Sequence, residues 1–196
     1  MRLILASASP RRAELLTSAG YVFEVAPAHV DETAEPDEAS DVYALRVARD
    51  KARVVADRQG PGTTVLAADT VVVRGGEILG KPRNAADAER MLTLLSGAVH
   101  EVLTAVVIRT GGRELTAVET TRVRFAALTP AEIAWYIASG EPEGKAGAYA
   151  IQGLAARFIE RIEGSWSNVV GLPVATVYSL LNTAQKGYSE GDFSQS

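Results

Sequence analysis

Apolar and polar positions follow two different periods, which alternate from one end of the chain to the other. Mainly apolar runs at Leu3–Ala6, Val22–Val25 and Val65–Val73 are typical of strands. Residues 38–58 instead place apolar side chains on one side of a helical projection and most charged side chains on the other. This alternation of strands and helices predicts an α/β fold.

The second half of the chain contains the clearest turn and cap signals. Val99–Arg109 and Glu114–Phe125 are strand-like and are joined at Gly111-Gly112, which predicts a β-hairpin. Thr129-Pro130-Ala131-Glu132 has the pattern of a capping box and predicts a helix to about Ser139. The remaining predicted elements are a helix from Asn84 to about Ser96, a strand over Leu154–Ile162 and a final helix from about Pro173 to Lys186.

No internal repeat, low-complexity stretch or linker interrupts this pattern. We therefore predict one elongated domain over residues 1–186. Residues 187–196 are small and polar apart from one Phe, so we predict a disordered tail there.

Composition narrows the chemistry that the chain can perform. The 196 residues contain no cysteine, which excludes disulfides, thiolate nucleophiles and zinc-thiolate sites. The two histidines, His29 and His100, are far apart and have no ligand-like neighbours, so we expect neither a histidine zinc site nor a Ser-His-Asp triad. Carboxylates, lysines and arginines remain, together with a hard metal ion bound through oxygen.

Charge and hydropathy indicate where the protein acts. No apolar run approaches the ~20 residues needed to span a bilayer, and no leader-like segment precedes Leu3, so we expect a cytoplasmic protein that does not bind membranes. A net charge of −4 argues against nucleic-acid binding over a broad basic face. A small phosphorylated ligand is compatible with this charge because it needs only a few cations in one pocket.

Ser9-Pro10-Arg11-Arg12 follows the first strand and predicts a helix with Ser9 at its N-cap. Arginines in a first helical turn face the positive end of the helix dipole, at a cost of about 0.3–1 kcal/mol each. Two such arginines, free N–H groups and the hydroxyls of Ser7 and Ser9 fit a phosphate-binding site. The same segment also fits a plain helix start with both arginines in water.

Asp69 and Lys51 both occupy apolar surroundings. Asp69 interrupts Val65–Val73, a run typical of a central parallel strand buried on both faces, where an ionised carboxylate needs a compensating cation. We interpret it as a metal ligand or general base, with capping of a nearby turn as the alternative. Lys51 projects from the apolar half of the 38–58 helix, so its ammonium either extends to solvent or meets a negative partner.

Three loops add candidates that are weaker when taken alone. Lys81 lies in Gly80-Lys81-Pro82, which also fits a plain turn, and Glu32 lies in the acidic run 31–35, which also fits a solvated loop. The glycine-rich segment Gly140–Gly153 either approaches a ligand closely or forms a mobile surface loop.

Taken together, these segments resemble the Maf family of nucleotide pyrophosphatases, also called septum-formation inhibitor proteins, over roughly Leu3 to Leu181. The resemblance depends on five motifs in order: Ala6-Ser7-Ala8-Ser9-Pro10-Arg11-Arg12, Ala67-Ala68-Asp69-Thr70-Val71-Val72, Gly80-Lys81-Pro82, Lys145-Ala146-Gly147-Ala148-Tyr149-Ala150-Ile151-Gln152-Gly153 and Asn168-Val169-Val170-Gly171-Leu172-Pro173.

The resemblance implies a metal-assisted hydrolysis of nucleoside triphosphates to the monophosphate and pyrophosphate. It also implies an elongated mixed β-sheet flanked by helices around a central cleft, similar to inosine triphosphatases, and a homodimer. Asp69 corresponds to the catalytic proton acceptor. The family's phosphate and substrate contacts correspond to Ser7, Arg11, Arg12, Glu32, Lys51, Lys81 and Gln152.

Arg11, Thr70 and Gln152 occupy the positions that distinguish branches of the family. These residues resemble the branch that acts on dTTP, UTP and modified pyrimidine nucleotides. One departure is Gly144, where many members carry Asp, and this puts the rigidity of the glycine-rich loop in question.

These assignments suggest a mechanism. The arginines and lysines hold the triphosphate, Mg²⁺ or Mn²⁺ is bound by Glu32 and Asp69, and Asp69 activates water. The alternative is a nucleotide-sensing regulator of cell division that does not turn its ligand over.

Overall fold

The computed structural model describes residues 2–189, with side chains as far as Lys186, and its centre is one mixed β-sheet. The strands are β1 (Arg2–Leu5), β2 (Glu24–Val25), β3 (Thr63–Arg74), β4 (Glu77–Leu79), β5 (Val99–Thr110), β6 (Arg113–Phe125) and β7 (Ile159–Glu163). The helices are α1 (Pro10–Ser18), α2 (Ser40–Gln59), α3 (Ala85–Leu95), α4 (Pro130–Ala138), α5 (Trp166–Val170) and α6 (Val174–Ser189), with 3₁₀ turns at Ala146–Ala148 and Leu154–Phe158.

The strand order is β2-β1-β3-β5-β6-β7, with β4 paired to β3. Two pairs are parallel, β1 with β2 and β1 with β3, and the other pairs are antiparallel. The sheet confirms the predicted α/β class with a mixed sheet and flanking helices. The run at Val65–Val73 was predicted to be a central strand of a parallel sheet. β3 is central, but it is parallel only to β1 and antiparallel to β5.

Alternate residues of β1 and β3 point to opposite faces of the sheet, and each face has its own apolar core. Leu66 and Ala68 belong to the core shared with α3, α4 and α6. Val65 and Ala67 belong to the core beneath α2. Because β3 is covered on both sides, a polar side chain on it needs a partner inside the protein.

Three differences from the sequence prediction lie after residue 150. Leu154–Phe158 is a 3₁₀ segment and not the beginning of a strand, because the Glu141 carboxylate accepts the N–H groups of Leu154 and Ala155 that a sheet would use. The short helix α5 was not predicted from the sequence, and the Ser165 side chain caps it by accepting the Asn168 N–H.

The third difference is α6, which continues to Ser189, so residues 187–189 of the predicted tail are helical. The rest of that tail lies outside the described residues. No helix within residues 2–189 is both long and apolar enough to cross a membrane.

Candidate active site

A cavity of about 670 Å³ opens where β1 ends and β3 continues past it. This volume suits a small-molecule ligand. The structure brings every site residue predicted from the sequence to the wall of this cavity: Ser7, Arg11, Arg12, Glu32, Lys51, Asp69, Thr70, Lys81 and Gln152.

Four charged side chains form a continuous chain of contacts across the cavity. The Lys51 ammonium lies 2.7 Å from Asp69 Oδ1 and 2.6 Å from Glu32 Oε1. The Lys81 ammonium lies 3.3 Å from Glu32 Oε2. Lys51 therefore does not extend to solvent; it lies between two carboxylates.

Burial makes the Lys51–Asp69 pair interdependent. Both residues are only 7% exposed, so either charge alone in this position would be strongly unfavourable. Glu32 is more accessible. Partial burial opposes ionisation of Glu32, but hydrogen bonds and charge from Lys51 and Lys81 outweigh it, so the pKa of this carboxyl is below its ordinary value. Tyr43 donates a 2.7 Å hydrogen bond to the Glu32 carbonyl and fixes the loop that carries it.

Arg12 is buried and most of its donors are used by the protein. Its Nε donates to the Gly171 carbonyl at 2.8 Å, and one terminal nitrogen donates to the Ala68 carbonyl at 2.8 Å and to Ser7 Oγ at 3.2 Å. The other terminal nitrogen donates to Thr70 Oγ1 at 3.0 Å. Burial lowers the pKa of Arg12, and the charge of Asp69 opposes this effect. Arg12 thus connects α1, β3 and the segment after α5 at the cavity floor.

Arg11 contrasts with its neighbour. It is half-buried and lines the cavity, but among residues 2–189 its guanidinium makes no ion pair or hydrogen bond with a protein group. Its fork of N–H donors is therefore free to bind an anion.

The hydroxyls of Ser7 and Thr70, both on the cavity wall, are held differently. Ser7 Oγ accepts from the Ser9 N–H and from Arg12, both at 3.2 Å, which uses both of its lone pairs and leaves its proton to donate. Thr70 Oγ1 contacts Arg12 at 3.0 Å, Thr104 Oγ1 at 2.9 Å and the Gly171 carbonyl at 3.3 Å. Ser7 suits a phosphate oxygen, whereas the Thr70 hydroxyl is engaged by the framework.

The glycine-rich segment is locked against β3 on one side. Gly147 has φ +67° and donates to the Gly80 carbonyl at 3.1 Å, and a Cβ there would lie 2.9 Å from Val72 Cγ2. Ala148 also has a positive φ of 60°, which is uncommon for a residue with a side chain. Gly144 has φ +68° with open space around it, so glycine suits this backbone.

Three contributors were missed as site residues by sequence reasoning. Lys145 lines the cavity, and burial, followed by the charge of Arg11, lowers the pKa of its ammonium. The Asn168 amide donates to the Val102 carbonyl and to Thr121 Oγ1, which holds α5 so that the Gly171 carbonyl meets Arg12. A lysine inside the glycine-rich loop was a visible signal, but nothing in the sequence indicated the contacts of Asn168 and Gly171.

The lining charges are strongly unbalanced. Five cations line the cavity, namely Arg11, Arg12, Lys51, Lys81 and Lys145, and they face two carboxylates, Glu32 and Asp69. A local excess of three positive charges in a chain of net charge −4 favours a multiply charged anion at this position.

The same residues are suited to a divalent metal. Residues 2–189 contain no cluster of three or more metal-ligating side chains. Mg²⁺, however, is commonly held by one or two carboxylates together with substrate phosphates. Oxygens of Glu32 and Asp69 already converge on one cation, the Lys51 ammonium, so the donor set fits such an ion.

Known proteins resemble the chain over nearly its whole length. The sequence profile described as "Maf-like protein" matches residues 2–184. The chain is 58% identical to a dTTP/UTP pyrophosphatase of Anaeromyxobacter sp. (strain Fw109-5), covering 93% of this chain and 89% of that protein. It is 53% identical to the dTTP/UTP pyrophosphatase of Myxococcus xanthus (strain DK1622), covering 93% and 92%.

Solved structures show weaker similarity. The Staphylococcus aureus Ham1 protein matches with a TM-score of 0.48 and 15% identity, covering 64% of this chain and 72% of that one. A nucleoside-triphosphatase described as a dITP/XTP pyrophosphatase from Mycobacterium abscessus matches with a TM-score of 0.43 and 19% identity, covering 65% and 76%.

Proposed function

Because the chain belongs to the Maf family, we propose that it hydrolyses nucleoside triphosphates to the monophosphate and pyrophosphate, with dTTP and UTP as preferred substrates. The observation that carries the proposal is the cavity in which five cations surround one buried acid, Asp69. A polyphosphate matches this excess of positive charge, and the buried acid supplies a proton acceptor beside it.

The triphosphate is held by the groups that the protein framework leaves available. Arg11 presents its guanidinium fork, Lys81 and Lys145 present ammonium groups, and Ser7 presents its proton. These donors stabilise the charge that develops on pyrophosphate as it leaves.

Asp69 accepts a proton from the attacking water. The water oxygen forms a bond to the α-phosphorus, the bond from that phosphorus to the β-bridging oxygen breaks, and the electron pair leaves with pyrophosphate. Lys51, 2.7 Å from Asp69 Oδ1, is the buried countercharge of this carboxylate and fixes its orientation. Glu32 and Asp69 would hold Mg²⁺ or Mn²⁺, and the bound ion would neutralise phosphate charge.

Gln152 faces the nucleobase. It lines the cavity at the rim, and its amide both donates and accepts, so it can match the carbonyl and N–H groups on the edge of uracil or thymine. Thr70 shapes the wall through its contacts with Arg12 and Gly171, and Arg11 contributes to specificity from α1.

A substrate panel tests this proposal. The purified chain is incubated with dTTP, UTP, CTP, ATP, GTP and modified pyrimidine triphosphates, each with Mg²⁺, Mn²⁺ or EDTA. We expect repeated turnover with stoichiometric pyrophosphate and monophosphate, highest kcat/KM for dTTP and UTP, and loss of activity in EDTA. Release of orthophosphate, or tight nucleotide binding without turnover, contradicts the proposal. The second outcome is the one expected of a nucleotide-sensing regulator.

A further inference from the structure

The carboxylate of Glu141 closes the glycine-rich segment at its far end. Its Oε2 accepts the Leu154 N–H at 2.8 Å, and its Oε1 accepts the Ala155 N–H at 3.3 Å and the Tyr136 hydroxyl at 2.8 Å. Glu141 thus joins the beginning of the loop to its end, thirteen residues along the chain, and to α4.

Two neighbouring residues, Tyr136 and Gly153, accommodate this carboxylate. Tyr136 is 0% exposed, and its oxygen also accepts the Ala150 N–H at 3.3 Å. Gly153 has an ordinary φ of −110°, so its backbone does not require glycine. A Cβ at Gly153 would instead collide with the Glu141 carboxylate, so the missing side chain makes room for the contact.

Gln152 lies inside a short turn that this cluster holds on both sides. The turn is closed by the Gly153 N–H donating to the Ala150 carbonyl at 3.1 Å. Ala150 is bound by Tyr136 before Gln152, and Leu154 is bound by Glu141 after it. The Gln152 side chain reaches the cavity, while the backbone on both sides of it is bound to the Tyr136–Glu141 pair.

A carboxylate is the group that these contacts require. Three donors, two N–H groups and one O–H group, converge on two oxygens that only accept. Glutamine has nearly the same shape but replaces one of those oxygens with an NH₂ group, which cannot accept.

We propose that Glu141 is a positioning residue for nucleobase selection: it holds the 150–153 turn so that Gln152 faces the base. The inference rests on the proposed function, because it assigns Gln152 to the base of a nucleoside triphosphate. Glu141 itself is not among the residues that line the cavity, so it acts through Gln152 and not on the substrate.

The test compares Glu141→Gln with Glu143→Gln, which makes the same charge change two residues along the loop. The Glu143 carboxylate forms no hydrogen bond or ion pair within residues 2–189. Gly153→Ala is the second variant, since it displaces the carboxylate without changing any charge. Two readouts are used: the ratio of Kd values for non-hydrolysable α,β-imido analogues of UTP and GTP, and hydrogen exchange at the amides of residues 154–155.

Glu141→Gln and Gly153→Ala should each reduce the UTP preference by about fivefold or more, the effect of losing one well-placed hydrogen bond. Both should also accelerate exchange at 154–155, and Glu143→Gln should change neither readout. The double variant Glu141→Gln with Gln152→Ala should have the same ratio as Gln152→Ala alone, because the two residues act through one contact.

An unchanged Kd ratio in both variants, unchanged exchange at 154–155, or additive losses in the double variant overturns the inference. So does a wild-type protein that binds both analogues equally. A wild-type protein that binds selectively but releases no pyrophosphate refutes the proposed function instead, and the binding ratios still decide the role of Glu141.

Discussion

Single residues in this site have roles that their neighbours along the chain do not share. Arg11 and Arg12 are adjacent, yet Arg12 makes four hydrogen bonds to protein acceptors whereas Arg11 presents its guanidinium to the cavity. Sequence reasoning assigned both to phosphate binding. The contacts separate them into a framework residue and a candidate ligand-binding residue.

Arg12→Lys should therefore lower stability. Lysine cannot reproduce the planar fork that reaches Gly171, Ala68 and Thr70 together, so we expect a loss of about 1–3 kcal/mol in the free energy of unfolding. Urea denaturation monitored by circular dichroism measures this free energy. Arg11→Lys is the control and should change stability little while raising KM. Equal stability losses in the two variants would contradict this separation.

Asp69→Asn should abolish most turnover without removing the side chain's volume. Because the amide cannot accept a proton from water, kcat should fall by on the order of 10²–10⁴. Pyrophosphate release under saturating UTP measures the effect, with Asp57→Asn on the exposed side of α2 as the control. An Asp69→Asn variant with nearly full turnover would show that another group activates water.

Among the elements of the site, the glycine-rich segment Gly140–Gly153 is the one whose structure the sequence pattern predicted least well. Gly147 holds its middle against β3, and Glu141 joins its beginning to the 3₁₀ segment Leu154–Phe158. Lys145 lies between Glu141 and Gly147, Gln152 lies between Gly147 and Leu154, and both residues line the cavity. The loop is therefore a binding element with defined anchors.

Gly147→Ala and Gly144→Ala form a matched pair that tests the first anchor. Both glycines have a positive φ, 67° and 68°, so alanine strains the backbone similarly in each. Only at Gly147 does the new Cβ meet Val72, at 2.9 Å. We expect Gly147→Ala to lower the free energy of unfolding by about 1–3 kcal/mol more than Gly144→Ala does, and to raise KM for UTP. Identical midpoints and KM values for both variants would rule out the Val72 contact as an anchor.

On the scale of the whole molecule, the free energy of unfolding depends on a buried histidine that lies away from the linked charges of Glu32, Lys51, Asp69 and Lys81. His100 is 1% exposed, packs edge-to-face against Phe125 and Tyr149, and lies 2.8 Å from the Tyr149 hydroxyl through Nε2. Its Nδ1 is buried without a partner among residues 2–189. Burial, assisted by the charge of Arg74, lowers the pKa of His100 to about 4.

The free energy of unfolding should therefore fall as the pH falls from 6.5 to 4. In that window the unfolded chain binds a proton at His100 that the folded chain does not, and the difference reaches about 3 kcal/mol below pH 4. Urea unfolding at several pH values measures the slope. His100→Gln, which cannot titrate, should flatten it by this amount. Parallel curves for the two proteins would show that His100 is not protonated preferentially on unfolding.

Much of this protein was predictable because periodicity and turn chemistry depend on residues close together in the chain. The α/β class, the hairpin at Gly111-Gly112 and the capped helix at Thr129 follow from such patterns. All nine site residues predicted from the sequence line one cavity, and seven of them lie in the five motifs; Glu32 and Lys51 lie outside the motifs. The homodimer, the cellular location, the metal and the roles of individual residues stay predictions.

The contacts that define the site join positions far apart in the chain, and no local pattern encodes them. Lys51 meets Asp69 because α2 packs over β3, Arg12 meets Gly171 across 159 residues, and Glu141 accepts the N–H groups that a strand at 154 would have used. Burial and hydrogen-bond satisfaction in the packed molecule select among the partners available to each polar group. The sequence determines which polar groups need a partner, and the tertiary structure determines which partner each of them has.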